Sequence, residues 1–311
     1  MKVLRSLERA RGLVRRSVVT IGNFDGVHRG HQVILERLRR EADQRGVSAV
    51  VLTFDPHPIS VVRPDAAPLA IMTLADRLRA LAAEGPDLAV VQHFSRSFAA
   101  IEADEFVRRF LVEILDASLI LVGDDLNFGR DRGGNVETLQ AAGARYGFGV
   151  DVIAPVDVDG VVARSSVIRS LVSSGDVAAA GRLLGRPHFV RGRVAHGEGR
   201  GKGLGFATAN LEPETPLVPG DGVYATVARL GRRRVDSVTS IGSKPTFGGA
   251  ATAIEAHLFA EAGDIYGKPL VLEFVEKLRD QRRFESPDEL VRQIGADVDR
   301  AKAILAATGG R

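Results

Sequence analysis

Two histidines and three glycines stand close together in the segment GNFDGVHRGH, residues 22–31. His28 and His31 are three residues apart, so on a helical turn they would share a face. Glycines let a backbone approach a phosphate closely, and the free N–H groups at a helix start favour an anion. Imidazoles there can donate hydrogen bonds to a phosphate whose charge grows during an in-line displacement. The alternatives are a glycine-rich turn with a capping and a surface histidine, or a zinc pair that lacks an evident third ligand.

The segment lies between two elements that would position it. Residues 17–22, SVVTIG, have the apolar composition of a buried strand, and residues 33–40 show helical spacing. Alternating elements continue to about residue 155. The further predicted strands cover 48–54, 87–94, 118–123 and 149–155, and the further predicted helices cover 74–84, 103–115 and 135–146. This order predicts an α/β doubly wound parallel sheet, a fold that binds ligands at the carboxyl ends of its strands.

The pattern changes at residues 185–187, Gly-Arg-Pro. The β-rich runs that follow cover 188–195, 222–230, 234–242, 252–259 and 269–278. Turn residues separate them, which predicts a small antiparallel β-barrel. Ser286, Pro287 and Glu289 predict the N-cap, first position and capping-box acid of a C-terminal helix. The expected domains are therefore residues 1–185 and residues 186–311.

Composition narrows the class of protein. The chain has no cysteine, so disulfides, thiolate nucleophiles and cysteine-ligated zinc are excluded. Its net charge of +3 suits a polyphosphate ligand but is too small to indicate nucleic acid. No apolar run approaches the ~20 residues that a membrane span needs. We therefore expect a cytoplasmic protein with no nucleic-acid or membrane partner, either a monomer or a weak homo-oligomer.

Two features of the second half could also do chemistry. Residues 197–210, GEGRGKGLGFATAN, combine alternating glycines with two cations, which suits a loop around a polyphosphate, although plain linkers look similar. The segment is not a Walker A loop, because the GK[ST] ending is missing. In the strand TAIEAHLF, Glu255 and Ile254 point to opposite faces. Periodicity alone would make Glu255 a solvent-facing residue.

Several segments together resemble one known family. GNFDGVHRGH looks like the HxGH nucleotidyltransferase signature of bacterial bifunctional riboflavin kinase/FAD synthetases. Further segments match that family in order: TFDPHP at 53–58, VGDDLNFG at 122–129, SSVIR at 165–169 and GRGKGLGFATAN at 199–210. The resemblance implies a Rossmann-like nucleotidyltransferase domain followed by a riboflavin kinase barrel. It also implies phosphorylation of riboflavin to FMN and adenylylation of FMN to FAD, with ATP as donor, pyrophosphate as a product and Mg²⁺ accompanying ATP.

The resemblance also implies roles for residues of the first domain. His28 and His31 would be catalytic, and Asp55 and His57 would contact the flavin. The implied ATP or phosphate contacts are Gly22, Asn23, Phe24, Asp25, Gly30, Asp125, Ser165, Ser166 and Arg169. Leu126 stands where the family usually has Phe, and Ser166 stands at a Thr position but keeps the hydroxyl.

In the second domain the resemblance implies that Glu255 is the general base on the riboflavin hydroxyl. Thr208 and Asn210 would hold Mg²⁺ and ATP phosphates. Further phosphate contacts would come from Gly197, Lys202 and Gly205, and flavin contacts from Arg279 and Phe284.

Ala207 replaces the family's Pro and removes a fixed φ, which leaves the loop less preorganised. The alternatives are a chain with only adenylyltransferase activity, a nucleotidyltransferase with another acceptor, and a flavin-binding regulator.

Overall fold

The computed structural model describes residues 1–196, 208–246, 249–260 and 263–308. Its contacts divide the chain into two compact units, Met1–Ala163 and Arg164–Arg311. Each unit has a hydrophobic core of its own. The boundary between the units lies before two short helices, whereas the predicted boundary at residue 185 lies after them.

The first unit is built on a parallel sheet of six strands. The strands are β1 (Lys2–Leu4), β2 (Ser17–Ile21), β3 (Ser48–Asp55), β4 (Leu88–His93), β5 (Ala117–Gly123) and β6 (Gly149–Ile153). Their spatial order is β1-β4-β3-β2-β5-β6, and every pairing is parallel. The predicted α/β doubly wound sheet is confirmed. The strand β1 was not predicted, because it has only three residues and buries only Leu4.

Helices follow the strands of this sheet. They are α1 (Arg29–Arg45), α2 (Pro58–Val62), α3 (Leu74–Ala83), α4 (Arg96–Ala99), α5 (Ala103–Phe106) and α6 (Val136–Tyr146). A π-helix over Val107–Ile114 continues α5, and a small hairpin joins β7 (Asp157–Val158) to β8 (Val161–Val162). The helix α1 buries Leu35, Leu38 and Ala42, and ends at Gly46 in the left-handed region, φ +64°. The buried side chains thus hold α1 against the sheet, and Gly46 sets where the helix ends.

The second unit contains a closed antiparallel barrel of six strands. The strands are β9 (His188–Ala195), β10 (Thr208–Pro213), β11 (Gly222–Leu230), β12 (Arg233–Thr246), β13 (Gly249–Leu258) and β14 (Pro269–Arg279), and the helices are α7 (Ser165–Ser174), α8 (Val177–Leu184) and α9 (Pro287–Thr308). The strands follow the order β10-β13-β12-β11-β14-β9 around the barrel. The predicted barrel and C-terminal helix are confirmed. The strand β10 was missed, because its first residues follow directly on a glycine-rich segment.

The N-terminus of α9 departs in one detail from the predicted capping box. Ser286 caps the helix as predicted, since its hydroxyl accepts a hydrogen bond from the Glu289 N–H at 3.2 Å. The Glu289 carboxylate, however, accepts from the Glu285 N–H at 3.1 Å. The Glu289 carboxylate thus binds the backbone of Glu285, the residue before the N-cap, and not that of the N-cap residue Ser286.

The strand β9 begins with a buried histidine. His188 is 2% exposed, and its Nε2 lies 3.1 Å from the Leu217 carbonyl oxygen. Burial lowers the pKa of His188 to about 4 from an ordinary 6.5. The folded state therefore keeps the ring neutral, while the unfolded chain takes up a proton once the pH falls below 6.5.

We expect the stability contributed by neutral His188 to be complete above pH 6.5 and to fall by about 3 kcal/mol as the pH drops to 4. Urea unfolding at a series of pH values, for wild type and for His188→Gln, measures this contribution. The variant should lose less stability than wild type between pH 6.5 and 4. Equal pH slopes for the two proteins would contradict the assignment.

Candidate active sites

Three loops of the first unit start at neighbouring carboxyl ends, because β3, β2 and β5 are adjacent parallel strands. We call them the β2 loop (residues 22–28), the β3 loop (residues 54–57, which includes the last two residues of β3) and the β5 loop (residues 124–135). The first carries His28, the second Asp55 and His57, and the third Asp125. The fold therefore brings these predicted site residues to one edge of the sheet, where parallel sheets bind ligands.

The two histidines of the predicted phosphate site are stacked at the start of α1. Their ring centroids are 3.7 Å apart with an interplanar angle of 21°. His28 is the N-cap residue, is 6% exposed, and its Nδ1 accepts a hydrogen bond from the His31 N–H at 3.4 Å. A neutral imidazole that accepts at Nδ1 carries its proton on Nε2. His28 can therefore donate from Nε2 beside the positive end of a 17-residue helix.

The His28 ring and the backbone of Ala163 leave little room for a side chain at position 30. A Cβ on Gly30 would lie 3.1 Å from Cε1 of His28 and 3.3 Å from the Ala163 carbonyl oxygen. In the β2 loop, Phe24 and Val27 adopt positive φ values of 50° and 39° although neither is glycine. Both are buried, so packing holds this strained backbone in place. Strain of this kind clusters at functional sites.

The β2 loop is anchored from the segment that leads into α3. Asp25 is 3% exposed, and its two carboxylate oxygens accept from the Ile71 N–H at 3.0 and 3.1 Å. The Asn23 carbonyl oxygen accepts from the Thr53 hydroxyl at 3.2 Å and from the Arg77 guanidinium at 2.9 Å. Among the predicted ATP contacts, Asn23 and Asp25 are thus tied into the fold of the loop, and their roles toward ATP stay predictions.

The β3 loop presents one exposed carboxylate and one capping histidine. The Asp55 side chain is 49% exposed, and Nδ1 of His57 accepts from the Ile59 N–H at 3.2 Å at the start of α2. Phe54, Phe94 and Phe98 pack together beside the loop, with ring centroids 5.6–6.1 Å apart. A polar side chain next to a cluster of aromatic rings is suited to binding a ligand that has a ring system with polar substituents.

Other predicted contacts of the first site lie on the β5 loop and on α7. Asp125 follows β5, the strand next to β2. Ser165, Ser166 and Arg169 lie in the first turns of α7, which belongs to the second unit. Their proposed role as a phosphate clamp stays a prediction.

Arg77 is a site component that the sequence did not indicate. It is 7% exposed, and its guanidinium also donates to the Phe54 carbonyl oxygen at 2.9 Å. Burial lowers the pKa of Arg77, and the charges of Asp55 and Asp25 act against that shift. A cation on the apolar side of α3, four residues before the buried Leu81, is the signal that could have found it.

In the barrel, strand register brings the predicted kinase residues together. Asn210 on β10 is paired with Glu255 on β13, and Ser240 on β12 is paired with Glu255 from the other side. Ala209 and Ile254 are buried in the barrel core, so Asn210 and Glu255 share the opposite face. Glu255 is half-buried on that face.

The donors on this face suit Mg²⁺. Thr208 and Asn210 are two residues apart on β10, so their hydroxyl and amide oxygens lie on one side of the strand. Mg²⁺ prefers oxygen ligands and keeps places for substrate phosphates and water. The predicted residues Gly197, Lys202 and Gly205, together with Ala207, lie outside the described residues.

The predicted flavin contact Arg279 is held by an acid that the sequence did not indicate. Asp297 on α9 is 5% exposed, and its oxygens accept from Nε and Nη2 of Arg279 at 2.8–3.1 Å. The guanidinium also lies over the ring of Phe284, 5.6 Å from its centroid. Arg279 and Phe284 are therefore adjacent, as their shared role requires, and that role stays a prediction.

The described ranges of the chain contain no group of three or more His, Asp or Glu side chains that could hold a metal ion. No helix within these ranges is long and apolar enough to cross a membrane.

Comparison with known proteins identifies the family. A family model for FAD synthetase matches residues 11–167, and one for riboflavin kinase matches residues 184–305. A bifunctional riboflavin kinase/FMN adenylyltransferase from Pseudomonas fluorescens is 40% identical over the full length of both chains. The protein of that name from Escherichia coli K12 is 38% identical over 94% of this chain and 93% of its own. The chain belongs to the bifunctional riboflavin kinase/FMN adenylyltransferase family.

A solved structure supports the fold of this family member. A crystal structure from Streptococcus pneumoniae, described as a macrolide-efflux protein, is 31% identical and superposes with a TM-score of 0.87. It covers 96% of this chain and 98% of its own. The efflux activity in that description belongs to the other protein. The resemblance inferred from the sequence motifs is confirmed by the family models and the full-length relatives.

Proposed function

We propose that the chain makes FAD from riboflavin in two ATP-dependent steps, one in each unit. The barrel unit phosphorylates riboflavin to FMN, and the first unit transfers AMP from ATP to FMN with release of pyrophosphate. The observation that supports this assignment is the convergence of the chemical groups for each step. His28 stacks on His31 in the first unit, and Asn210 pairs with Glu255 in the second.

For adenylylation, a phosphate oxygen of FMN attacks the α-phosphorus of ATP, and pyrophosphate leaves on the opposite side. Negative charge grows on the oxygens of the reacting phosphate. Nε2 of His28, the His31 ring and the positive N-terminal end of α1 stabilise that charge. On this proposal Asp55 and His57 of the β3 loop bind the flavin, while Gly30 lets the His28 ring lie close against the start of α1.

For phosphorylation, the hydroxyl oxygen of riboflavin attacks the γ-phosphorus of ATP, and Glu255 accepts the proton of that hydroxyl. ADP then leaves, and the proton remains on the carboxylate until solvent removes it. Thr208 and Asn210 orient the phosphates, and they would hold Mg²⁺, which neutralises phosphate charge when bound. Because both steps consume ATP, we place the protein in the cytoplasm. A monomer or a weak homo-oligomer remains our prediction.

We expect the purified full chain, given riboflavin, ATP and Mg²⁺, to form FMN and then FAD. Chromatography resolves the two products. A fragment of residues 164–311 should form FMN and no FAD, because it carries the barrel with α7 and α8 but lacks the histidine pair. FMN formation by full chain and fragment, with FAD from the full chain alone, supports the assignment. A folded fragment that binds neither riboflavin nor ATP would contradict it.

The shorter fragment 186–311 tests the domain boundary. It lacks Val177, which is 1% exposed and packs in the barrel core cluster. It also lacks the turn at Gly175, which lies close to the Tyr224 hydroxyl. We therefore propose that residues 186–311 form the kinase domain, and that this domain needs α7 and α8 for full stability. Equal melting temperatures of the two fragments would show that α7 and α8 add nothing.

A further inference from the structure

A buried arginine connects the two loops of the adenylylation site. One guanidinium nitrogen of Arg77 donates to the Asn23 carbonyl oxygen, and another donates to the Phe54 carbonyl oxygen, both at 2.9 Å. Asn23 belongs to the β2 loop, and Phe54 is the first residue of the β3 loop. These loops carry the phosphate-side and flavin-side residues of the proposed reaction. Arg77 is therefore a single rigid group that spans the backbone of both.

The surroundings of Arg77 are costly for a cation. The residue is 7% exposed, and within the described part of the chain its Nε has no hydrogen-bond partner. Asp55 on the β3 loop has its Oδ1 3.8 Å from Nη2, at the outer limit of an ion pair. The desolvation of a buried charge with incomplete pairing offsets much of what its contacts contribute to stability. The arginine is thus better explained by what it holds than by stability.

The segment before Arg77 also holds the β2 loop, at a second residue. Ile71, at the start of that segment, donates its N–H to both carboxylate oxygens of Asp25. Thr73 caps α3 through a hydrogen bond from the Asp76 N–H at 3.2 Å. The cap fixes the first turn of α3, and Arg77 follows in that helix. The segment 71–77 therefore holds the β2 loop at two residues and the β3 strand end at one.

We propose that Arg77 is a positioning residue for FMN adenylylation, which sets the spacing between the β2 loop and the β3 loop. The inference rests on the proposed function of the first unit. Arg77 acts through backbone carbonyls and touches no substrate. Its guanidinium is suited to this task because its planar fork serves two acceptors at once, which a lysine ammonium does less well.

The test is the steady-state kinetics of FAD formation by Arg77→Met and Arg77→Lys in the full chain. Loss of the bridge displaces both loops, so we expect the KM values for ATP and FMN to rise together and kcat to fall. Misplacement of about 1 Å costs on the order of 100-fold in rate, so kcat/KM should fall by about that factor in Arg77→Met. Arg77→Lys should retain part of the activity. Conversion of riboflavin to FMN by the same samples should stay at the wild-type rate.

Two matched variants separate positioning from folding. Leu81→Ala opens a cavity in the same helix, at a residue that is 0% exposed and four positions after Arg77. Arg79→Met removes the same charge from α3 at a side chain that is 64% exposed and paired with Asp76. Both controls should keep wild-type KM values, even where Leu81→Ala melts at a lower temperature.

The possible results are distinguishable. If Arg77→Met reduces only the amount of active enzyme and keeps both KM values, as expected for Leu81→Ala, the positioning role is overturned. If Arg77→Met does not fold, Arg77→Lys decides, because wild-type kinetics in that variant also overturns the role. FMN binding measured by flavin fluorescence should weaken in parallel with the KM for FMN. Absence of FAD formation in the wild type would instead overturn the proposed function itself.

Discussion

Replacement of His28 or His31 should abolish FAD formation while riboflavin is still converted to FMN. Both rings stand at the start of α1, stacked 3.7 Å apart, where an anion is favoured. Loss of one preorganised donor to a developing negative charge costs on the order of 100- to 1000-fold in rate. The measurement is FAD formation from supplied FMN and ATP, with FMN formation from riboflavin followed in a separate reaction.

The two histidines need different controls, because His28 also caps α1. His28→Ala loses both the cap and the imidazole, and loss of a cap costs about 1 kcal/mol of stability. His28→Asn keeps a side chain that can cap the helix and removes only the imidazole. We expect His28→Asn to be as inactive in FAD formation as His28→Ala but to melt at a higher temperature. A double variant, His28→Asn with His31→Ala, that still made FAD at the wild-type rate would remove the pair from the mechanism.

The elements of this fold could be predicted where a local pattern decides them. Apolar runs marked the central strands of the parallel sheet, and alternation placed Glu255 on the face opposite Ile254, as observed. The strand β1 could not be found this way, because it is only three residues long and its partner β4 lies far from it in the sequence. The helices α7 and α8 precede the barrel in sequence, and their membership of its unit depends on contacts that no local pattern shows.

The site was predicted as a set of residues but not as an arrangement. The HxGH spacing indicated that His28 and His31 share a face, because the residues that decide it lie within one turn. Arg77 contacts Asn23 from 54 residues away, and Asp297 holds Arg279 across 18 residues. Such pairs depend on how elements pack. Periodicity likewise gives the face of Glu255, whereas its position opposite Asn210 depends on strand register.

Glu255→Gln should stop the conversion of riboflavin to FMN and leave the conversion of FMN to FAD intact. A primary hydroxyl is a poor nucleophile, so phosphoryl transfer benefits from a carboxylate that accepts its proton. A general base contributes roughly 100- to 10000-fold, which sets the size of the expected loss. Glutamine keeps the size and hydrogen-bonding capacity of the side chain but accepts no proton at neutral pH. The measurement is the rate of each step, with riboflavin and FMN supplied separately to the same variant.

The same isosteric change at Glu276 provides the control. Glu276 lies on β14 and pairs with Arg300 at 3.6 Å, with its side chain 44% exposed. Glu276→Gln removes a carboxylate from β14, a strand that pairs with neither β10 nor β13, so it should form FMN at the wild-type rate. ATP should still bind to Glu255→Gln, because phosphate binding is assigned to Thr208 and Asn210.

Normal turnover of riboflavin by Glu255→Gln would make Glu255 an ordinary half-buried strand residue. Loss of both steps would mean that the substitution disturbs folding or that the two sites depend on each other. Only the loss of the first step alone, with Glu276→Gln unaffected, fits a general base on this face.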